Sequence, residues 1–215
     1  MYTLVGMPGI GSRKNRVCWM LEEINAEYEA IDTVPHSGIA LAVNPTGVLP
    51  ALRDGDKVIT DSAAICTYLA DTHPQFGFSF PSGTVQRAQM EGWNYMATND
   101  LEGPIWSAIR QLNRNEDERL NEVLGLALED WQKAVKGLEK KLGENTYVMG
   151  EQFTVPDLFF GHVGFWAKFY DIPVNSASVL AYFDRLIRRP AFRKTMRQDA
   201  VATAALAEKG MVLPA

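Results

Sequence analysis

Three short stretches carry residues suited to chemistry on a small charged ligand. In GMPGIGSRKN (residues 6–15), glycines lead into Ser12 just before a helical pattern. Backbone N–H groups and a hydroxyl are thus gathered at a helix start, where the helix dipole favours a phosphate or a thiolate alike. A P-loop needs Lys and then Ser or Thr after its last glycine, and a dinucleotide fingerprint needs its own glycine spacing. Gly6, Gly9 and Gly11 followed by Ser12 and Arg13 meet neither requirement, so nucleotide binding is not expected. In TDSAAI (60–65), Asp61 and Ser62 open another helix. As plain caps they stabilise it by about 1 kcal/mol. Together they also suit a ligand with two ends: the helix N–H groups and the Ser62 hydroxyl take a carboxylate, and Asp61 pairs with an ammonium. In NPTGVLPAL (44–52), Pro50 interrupts an apolar run that otherwise reads as a short strand. Proline in strands is confined to edges, first positions and bulges.

Other residue types have structural explanations. In FTVPDL (153–158), Thr154 and Asp157 form a capping box, Phe153 and Leu158 a hydrophobic staple, and Pro156 falls where a helix has no N–H to lose. The following LFFGHVGFWAKFY is apolar nearly all round and reads as the core of a helical domain, with His162 a core histidine. His36, His73 and His162 have no metal-ligand spacing with one another or with Cys18 and Cys66, and no metal is expected. The two cysteines form no CxxC pair and are expected as reduced thiols in a cytoplasmic protein. Trp93, Tyr95, Trp106, Trp166 and Tyr170 lie on helical stretches; such aromatics are usually core, with some free to line a small-molecule pocket at a domain cleft.

The elements that must position these residues follow from periodicity. Residues 2–5 read as a strand and a helix runs from Arg13, with Val17, Met20, Leu21 and Ile24 on one face. Residues 28–31 read as a second strand, 39–43 as a short helix and 49–52 as a third strand. Asp54-Gly55 marks a hairpin turn before a fourth strand at Val58 and Ile59, and residues 63–69 form a helix. This β-α-β-α-β-β-α order predicts a mixed sheet, parallel between its first two strands and antiparallel at the hairpin, an α/β unit of the thioredoxin type. Beyond HPQFGFSFPSG (73–83) every periodic stretch is helical: 85–112, 116–142, 155–170, 179–188 and 191–206, with a kink expected at Gly103-Pro104. The expected organisation is an α/β thioredoxin-like domain over 1–75, a linker over 76–84 and an all-α domain over 85–215.

Composition sets outer bounds. The 215 residues are 47% hydrophobic and 22% charged, ordinary for a globular chain, and the net charge of −5 argues against nucleic acid as the main partner. The basic clusters Arg13, Lys14, Arg16 and Arg185, Arg188, Arg189, Arg193, Lys194 read as solvated helix faces. No apolar run is long enough to span a membrane, and no signal peptide is read at the N-terminus.

Along its whole length the chain resembles the cytosolic glutathione transferase family, in its bacterial-type, serine-type form. The likeness rests on RVCWMLEEINAEYE (16–29), NPTGVLPAL followed by DSAAICTYLAD (61–71), YVMGEQFTVPDLFFGHV (147–163) and LIRRPAFRKTM (186–196), in that order and spacing. The resemblance implies a homodimer that uses glutathione as co-substrate and no metal. It implies a cis Pro50, which turns the Leu49 N–H and C=O toward the cysteinyl backbone of glutathione. Asp61 and Ser62 match the pair that holds the γ-glutamyl end, and His36 is assigned to the glycine carboxylate. Members lower the thiol pKa with a Tyr, Ser or Cys donor in the loop after the first strand. Aligned on Arg16-Val17, that serine falls at Gly11, one place before Ser12. Ser12 is the candidate, with a nearby backbone N–H or Asn15 as alternatives; Tyr2 lies too early. Val48 stands where many members carry a basic or amide side chain. The implied activity is attack of the thiolate on an apolar electrophile or peroxide, with Tyr95, Trp106 and Trp166 assigned to the electrophile pocket. Another glutathione-dependent reaction (isomerisation, lyase or reductase chemistry) and a non-catalytic glutathione-binding or structural role stay open as alternatives.

Overall fold

Residues 1–208 are described by the computed structural model. The chain begins with β1 (Tyr2–Gly6), α1 (Lys14–Glu23), β2 (Tyr28–Asp32) and α2 (Gly38–Val43), and continues with β3 (Ala51–Asp54), β4 (Lys57–Thr60) and α3 (Ser62–Thr72). The strands form one sheet in the order β2-β1-β3-β4. β1 and β2 are parallel, joined through α1, whereas β1–β3 and β3–β4 are antiparallel. This is the thioredoxin-like arrangement expected from the element order. Leu4, Val5 and Leu52 on the sheet and Val17, Met20 and Leu21 on α1 are buried, so the 3.6-residue stripe of α1 forms part of the core of this unit. The third strand starts later than its apolar run suggests: Leu49 and Pro50 precede it, because Pro50 has no N–H for the ladder.

The remaining helices are α4 (Val85–Tyr95), α5 (Glu102–Leu112), α6 (Asn121–Leu142), α7 (Val155–Phe169), α8 (Ala177–Ile187) and α9 (Pro190–Glu208). The irregularity expected at Gly103-Pro104 lies a turn earlier, as a π-helical segment over Met96–Leu101. Pro104 sits in the first turn of α5; its missing N–H and its ring disturb the carbonyl four residues back, where the widened turn absorbs the mismatch. Before α6, Arg119 donates to the carbonyls of Gln111 and Leu112 at the end of α5, so α6 begins later than periodicity alone suggests. On α7 the expected capping box is present, and nearly every residue from Val155 to Ala167 is buried.

Contacts divide the chain into two units, one of residues 1–79 with α9 and one of residues 80–187. The boundary falls inside the expected linker, but α9 groups with the sheet-bearing unit rather than with the other helices. Its reason is α1: the Trp19 and Phe192 rings meet edge to face at 4.9 Å, and Arg189 donates two hydrogen bonds to Glu23 at 2.6 and 2.8 Å. Residues 209–215 of the helical domain read from the sequence lie outside the described residues. No described helix is long and apolar enough to cross a membrane.

Candidate functional site

Sheet register brings the three stretches to one end of the sheet. Ala51 pairs with Thr60 and with Val5. The residues that precede β3 (Leu49, Pro50), those that follow β4 (Asp61, Ser62) and the loop that follows β1 therefore leave the sheet at the same end. β2 runs parallel to β1, so Asp32 and the segment leading to His36 leave there too.

The β1–α1 loop is braced internally. The Gly9 carbonyl accepts from Ser12 N–H at 3.0 Å and from Asn15 Nδ2 at 3.1 Å. Ser12 is half-buried; its hydroxyl donates to the Met7 carbonyl at 2.6 Å and accepts from Lys14 N–H at 3.2 Å. Lys14 is buried and ion-paired with Asp32. Its side chain runs where a Cβ on Gly6 would come within 2.7 Å of Lys14 Cγ, so Gly6 makes room for it. The expectation of a solvated cluster at Arg13, Lys14 and Arg16 is thus corrected: Lys14 holds the start of α1 to the end of β2, and Arg16 is 2% exposed. A buried cation persists only when it is paired.

At the start of α3, Asp61 Oδ1 accepts from Ala63 N–H at 2.8 Å, as an N-cap does. Its backbone lies at φ 70°, ψ 128°, a region that costs a non-glycine residue on the order of 1–3 kcal/mol and is kept mainly where a site needs it. Ser62 is buried, and its Oγ lies 3.4 Å from Arg16 Nη1. Arg16 thereby sets a full positive charge beneath the N-terminus of α3, reinforcing the attraction of its N–H groups for an anion. Asp61 is exposed at the same point.

In NPTGVLPAL the Asn44 side chain shapes the loop: Nδ2 donates to the Val48 carbonyl at 2.8 Å, and Oδ1 accepts from Thr46 N–H at 3.1 Å. Gly47 has φ 69° and lies so close to His36 that a Cβ would come 2.5 Å from His36 Nδ1. His36 N–H donates to the Gly47 carbonyl at 3.0 Å, which sets His36 against this loop. The Leu49–Pro50 peptide is cis. Among the described residues, no turn, cap or loop hydrogen bond uses the Leu49 N–H or C=O.

The three aromatic candidates lie on the helical unit. Tyr95 is 62% exposed and Trp106 is 36% exposed. Trp166 is 1% exposed, packed on Trp106 at 5.4 Å and on His162 at 4.8 Å. It belongs to the core of that unit and presents no surface to a ligand, because α7 is apolar on every side. Cys18 and Cys66 are buried thiols, and desolvation pushes Cys18 up to about 11. Among the described residues, no group of His, Cys, Asp and Glu side chains is arranged to hold a metal.

Sequence reasoning missed Arg16, Asn44 and Asp199. Arg16 had a faint signal, four residues before Met20 on the apolar face of α1. Asn44 sits in a turn-rich stretch that favours side-chain-to-backbone bonds. Asp199 accepts from Gly9 N–H at 2.9 Å across 190 residues of chain, and no local pattern marks it.

Residues 10–77 match the family model for the glutathione S-transferase N-terminal domain. The chain is 27% identical over 213 residues to glutathione S-transferase 3 of Zea mays, covering 90% of this chain and 92% of that one. It is 28% identical over 165 residues to glutathione S-transferase GstA of Escherichia coli O157:H7, covering 74% and 77%. Among solved structures, a glutathione transferase from Methylococcus capsulatus superposes with a TM-score of 0.80 at 26% identity, covering 94% of this chain and all of that one. A sphingomonad glutathione S-transferase solved with glutathione superposes at 0.78 and 23% identity, covering 92% and 98%, a likeness of fold. Fold and likeness along most of the sequence agree: the chain carries the match to the glutathione S-transferase N-terminal domain over residues 10–77 and is similar along most of its length to glutathione S-transferases.

Proposed function

We propose that the protein is a glutathione transferase that binds reduced glutathione at the described end of the sheet and activates its thiol for attack on an apolar electrophile or peroxide. The observation that carries this is the register that gathers Leu49, Asp61 and the β1–α1 loop at one sheet end. The unengaged Leu49 N–H and C=O pair with the cysteinyl backbone, as an added strand pairs with a sheet edge. The γ-glutamyl carboxylate binds the α3 N-terminus above Arg16, and its ammonium pairs with Asp61. His36 takes the glycine carboxylate. Ser12 turns its hydroxyl from the Met7 carbonyl to the glutathione sulfur. A hydrogen bond to the charged form lowers the thiol pKa, and the start of α1 adds its dipole. The thiol proton leaves to solvent; the thiolate then forms the new bond to the electrophile, displacing its leaving group or one peroxide oxygen. Tyr95 and Trp106 are the candidate aromatic contacts for the electrophile. The likeness to glutathione S-transferases supports a homodimer, and the buried, unbridged cysteines suit a cytoplasmic location.

Calorimetry with reduced glutathione at millimolar concentration tests the reading: saturable heat and a raised melting temperature are expected, followed by conjugation of an aryl halide. Absence of both heat and thermal shift refutes it. One observation favours a second reading, glutathione binding without catalysis: the single Ser12 proton is already engaged at 2.6 Å by Met7. That reading predicts binding with no thiolate absorbance from bound glutathione at neutral pH, and observing the absorbance refutes it.

A further inference from the structure

The β1–α1 loop owes its shape to braces, because its glycines leave the backbone free to take many conformations. Gly9 and Gly11 have φ of 138° and 85°. Two of the braces are local: Ser12 N–H and the Asn15 amide both hold the Gly9 carbonyl. The third comes from the far end of the chain. Asp199, buried on α9, accepts the Gly9 N–H through Oδ1 at 2.9 Å. The Gly9 residue is thus gripped on both its N–H and its C=O, three positions before Ser12.

The surroundings of Asp199 indicate a role other than stabilising the fold. Among the described residues, its second oxygen, Oδ2, has no partner, and neither do the nearby Asn15 Oδ1 and Thr195 Oγ1. All three residues line a cavity of about 290 Å³ within this unit, together with Lys14, Cys18 and Asp32. Buried polar atoms without partners are few in native proteins, and each asks for an explanation. Burial pushes the Asp199 carboxyl up, opposed by the Gly9 N–H, the Asn15 amide and the Lys14 ammonium, with Asp32 adding to the rise.

We infer that Asp199 is a positioning residue: through Gly9 it fixes the loop that holds the Ser12 hydroxyl where the glutathione sulfur binds. The inference rests on the functional reading above and adds a residue outside the three stretches that build the site. It makes α9 part of the machinery that activates the thiol, although Asp199 touches no substrate.

The test uses the full chain with saturating reduced glutathione and follows thiolate absorbance against pH. Asp199→Ala removes the acceptor, whereas Asp199→Asn keeps an acceptor oxygen and drops the charge. The expected result is an apparent thiol pKa raised by about one unit in Asp199→Ala, a tenfold loss of thiolate at fixed pH. In Asp199→Asn the pKa should return to within a few tenths of a unit of the unsubstituted protein. Two outcomes overturn the inference: both variants lowering the pKa together, which marks a purely electrostatic effect, or neither moving it while the melting temperature falls. If Asp199→Ala does not fold, Asp199→Glu decides, since it keeps the charge but displaces the acceptor by one methylene; a raised pKa supports the inference and an unchanged one overturns it. No thiolate band in the unsubstituted protein refutes the functional reading itself. A band that is present and unmoved by Asp199→Ala refutes only the role of Asp199.

Discussion

Replacing Ser12 with alanine should raise the pKa of the bound glutathione thiol by about one unit, and the size of the effect follows from the loop. A hydrogen bond to an ionised group contributes roughly 1.5–3 kcal/mol, against about 1 kcal/mol for a neutral one. The Ser12 hydroxyl has one proton, which rests on the Met7 carbonyl at 2.6 Å. Donating it to the sulfur gives up that bond, so the net gain is about 0.5–2 kcal/mol, and one pKa unit corresponds to about 1.4 kcal/mol. The thiolate fraction below the pKa, and with it the rate of conjugation, should fall about tenfold. The assay is thiolate absorbance of the complex as a function of pH, with kcat/KM for an aryl halide beside it. Ser12→Thr keeps a hydroxyl and should recover most of the loss. Ser12→Ala also removes the acceptor of Lys14 N–H, a half-buried bond, so a melting temperature only a few degrees lower is expected. A shift below about 0.3 units with saturation intact refutes Ser12 as the donor and assigns the role to a backbone N–H. Asn15 is the weaker alternative, since it is buried and its Nδ2 already serves the Gly9 carbonyl.

Three further outcomes are expected. Asp157→Ala should destabilise the helical unit by at least about 4 kcal/mol in denaturant unfolding, because it strips the acceptor from Val148 N–H, Thr154 N–H, Thr154 Oγ1 and Tyr182 OH, each roughly 1–3 kcal/mol if left buried and unpaired; a loss under 1 kcal/mol contradicts this. The Asp199 carboxyl lies above its ordinary value through burial, so its contribution to stability is full below the unfolded pKa of about 4 and is lost as pH rises through the folded value. Denaturation midpoints of the unsubstituted protein relative to Asp199→Asn should therefore fall as pH rises from about 4, and a relative midpoint that rises instead contradicts the assignment. Cys18, pushed up to about 11 by burial, should resist alkylation in the native protein at neutral pH and react at least about 100-fold faster in urea; equal rates would show that the thiol is open to solvent.

Much of this fold is written locally. Val17, Met20, Leu21 and Ile24 mark the buried face of α1, Asp54-Gly55 turns the hairpin, and Thr154 with Asp157 caps α7; each depends on neighbours within a few residues. Local pattern misplaces a feature where backbone chemistry acts at a distance along the chain. Pro104 displaced its irregularity to Met96–Leu101 through a carbonyl four residues away, and Pro50 delayed β3 because a missing N–H matters only once a partner strand is present. The candidate site is legible in part for the same reason. Ser12, Asp61, Ser62, Leu49 and Pro50 advertise themselves by type and by their place at element ends, whereas Trp166 looks like any aromatic on a helix until its neighbours close over it.

By itself, then, the sequence determined the order of strands and helices, the caps that start them and the small polar residues at the ends of those elements, since those depend on torsional preference and short-range hydrogen bonds. Only the tertiary structure decided that Lys14 and Arg16 are buried cations rather than surface charge, and that α9 returns to pack on α1 and bring Asp199 to Gly9. A charged side chain near an apolar stripe is solvated or buried according to what packs over it. That choice is made by the whole core at once, across chain separations that no local pattern spans.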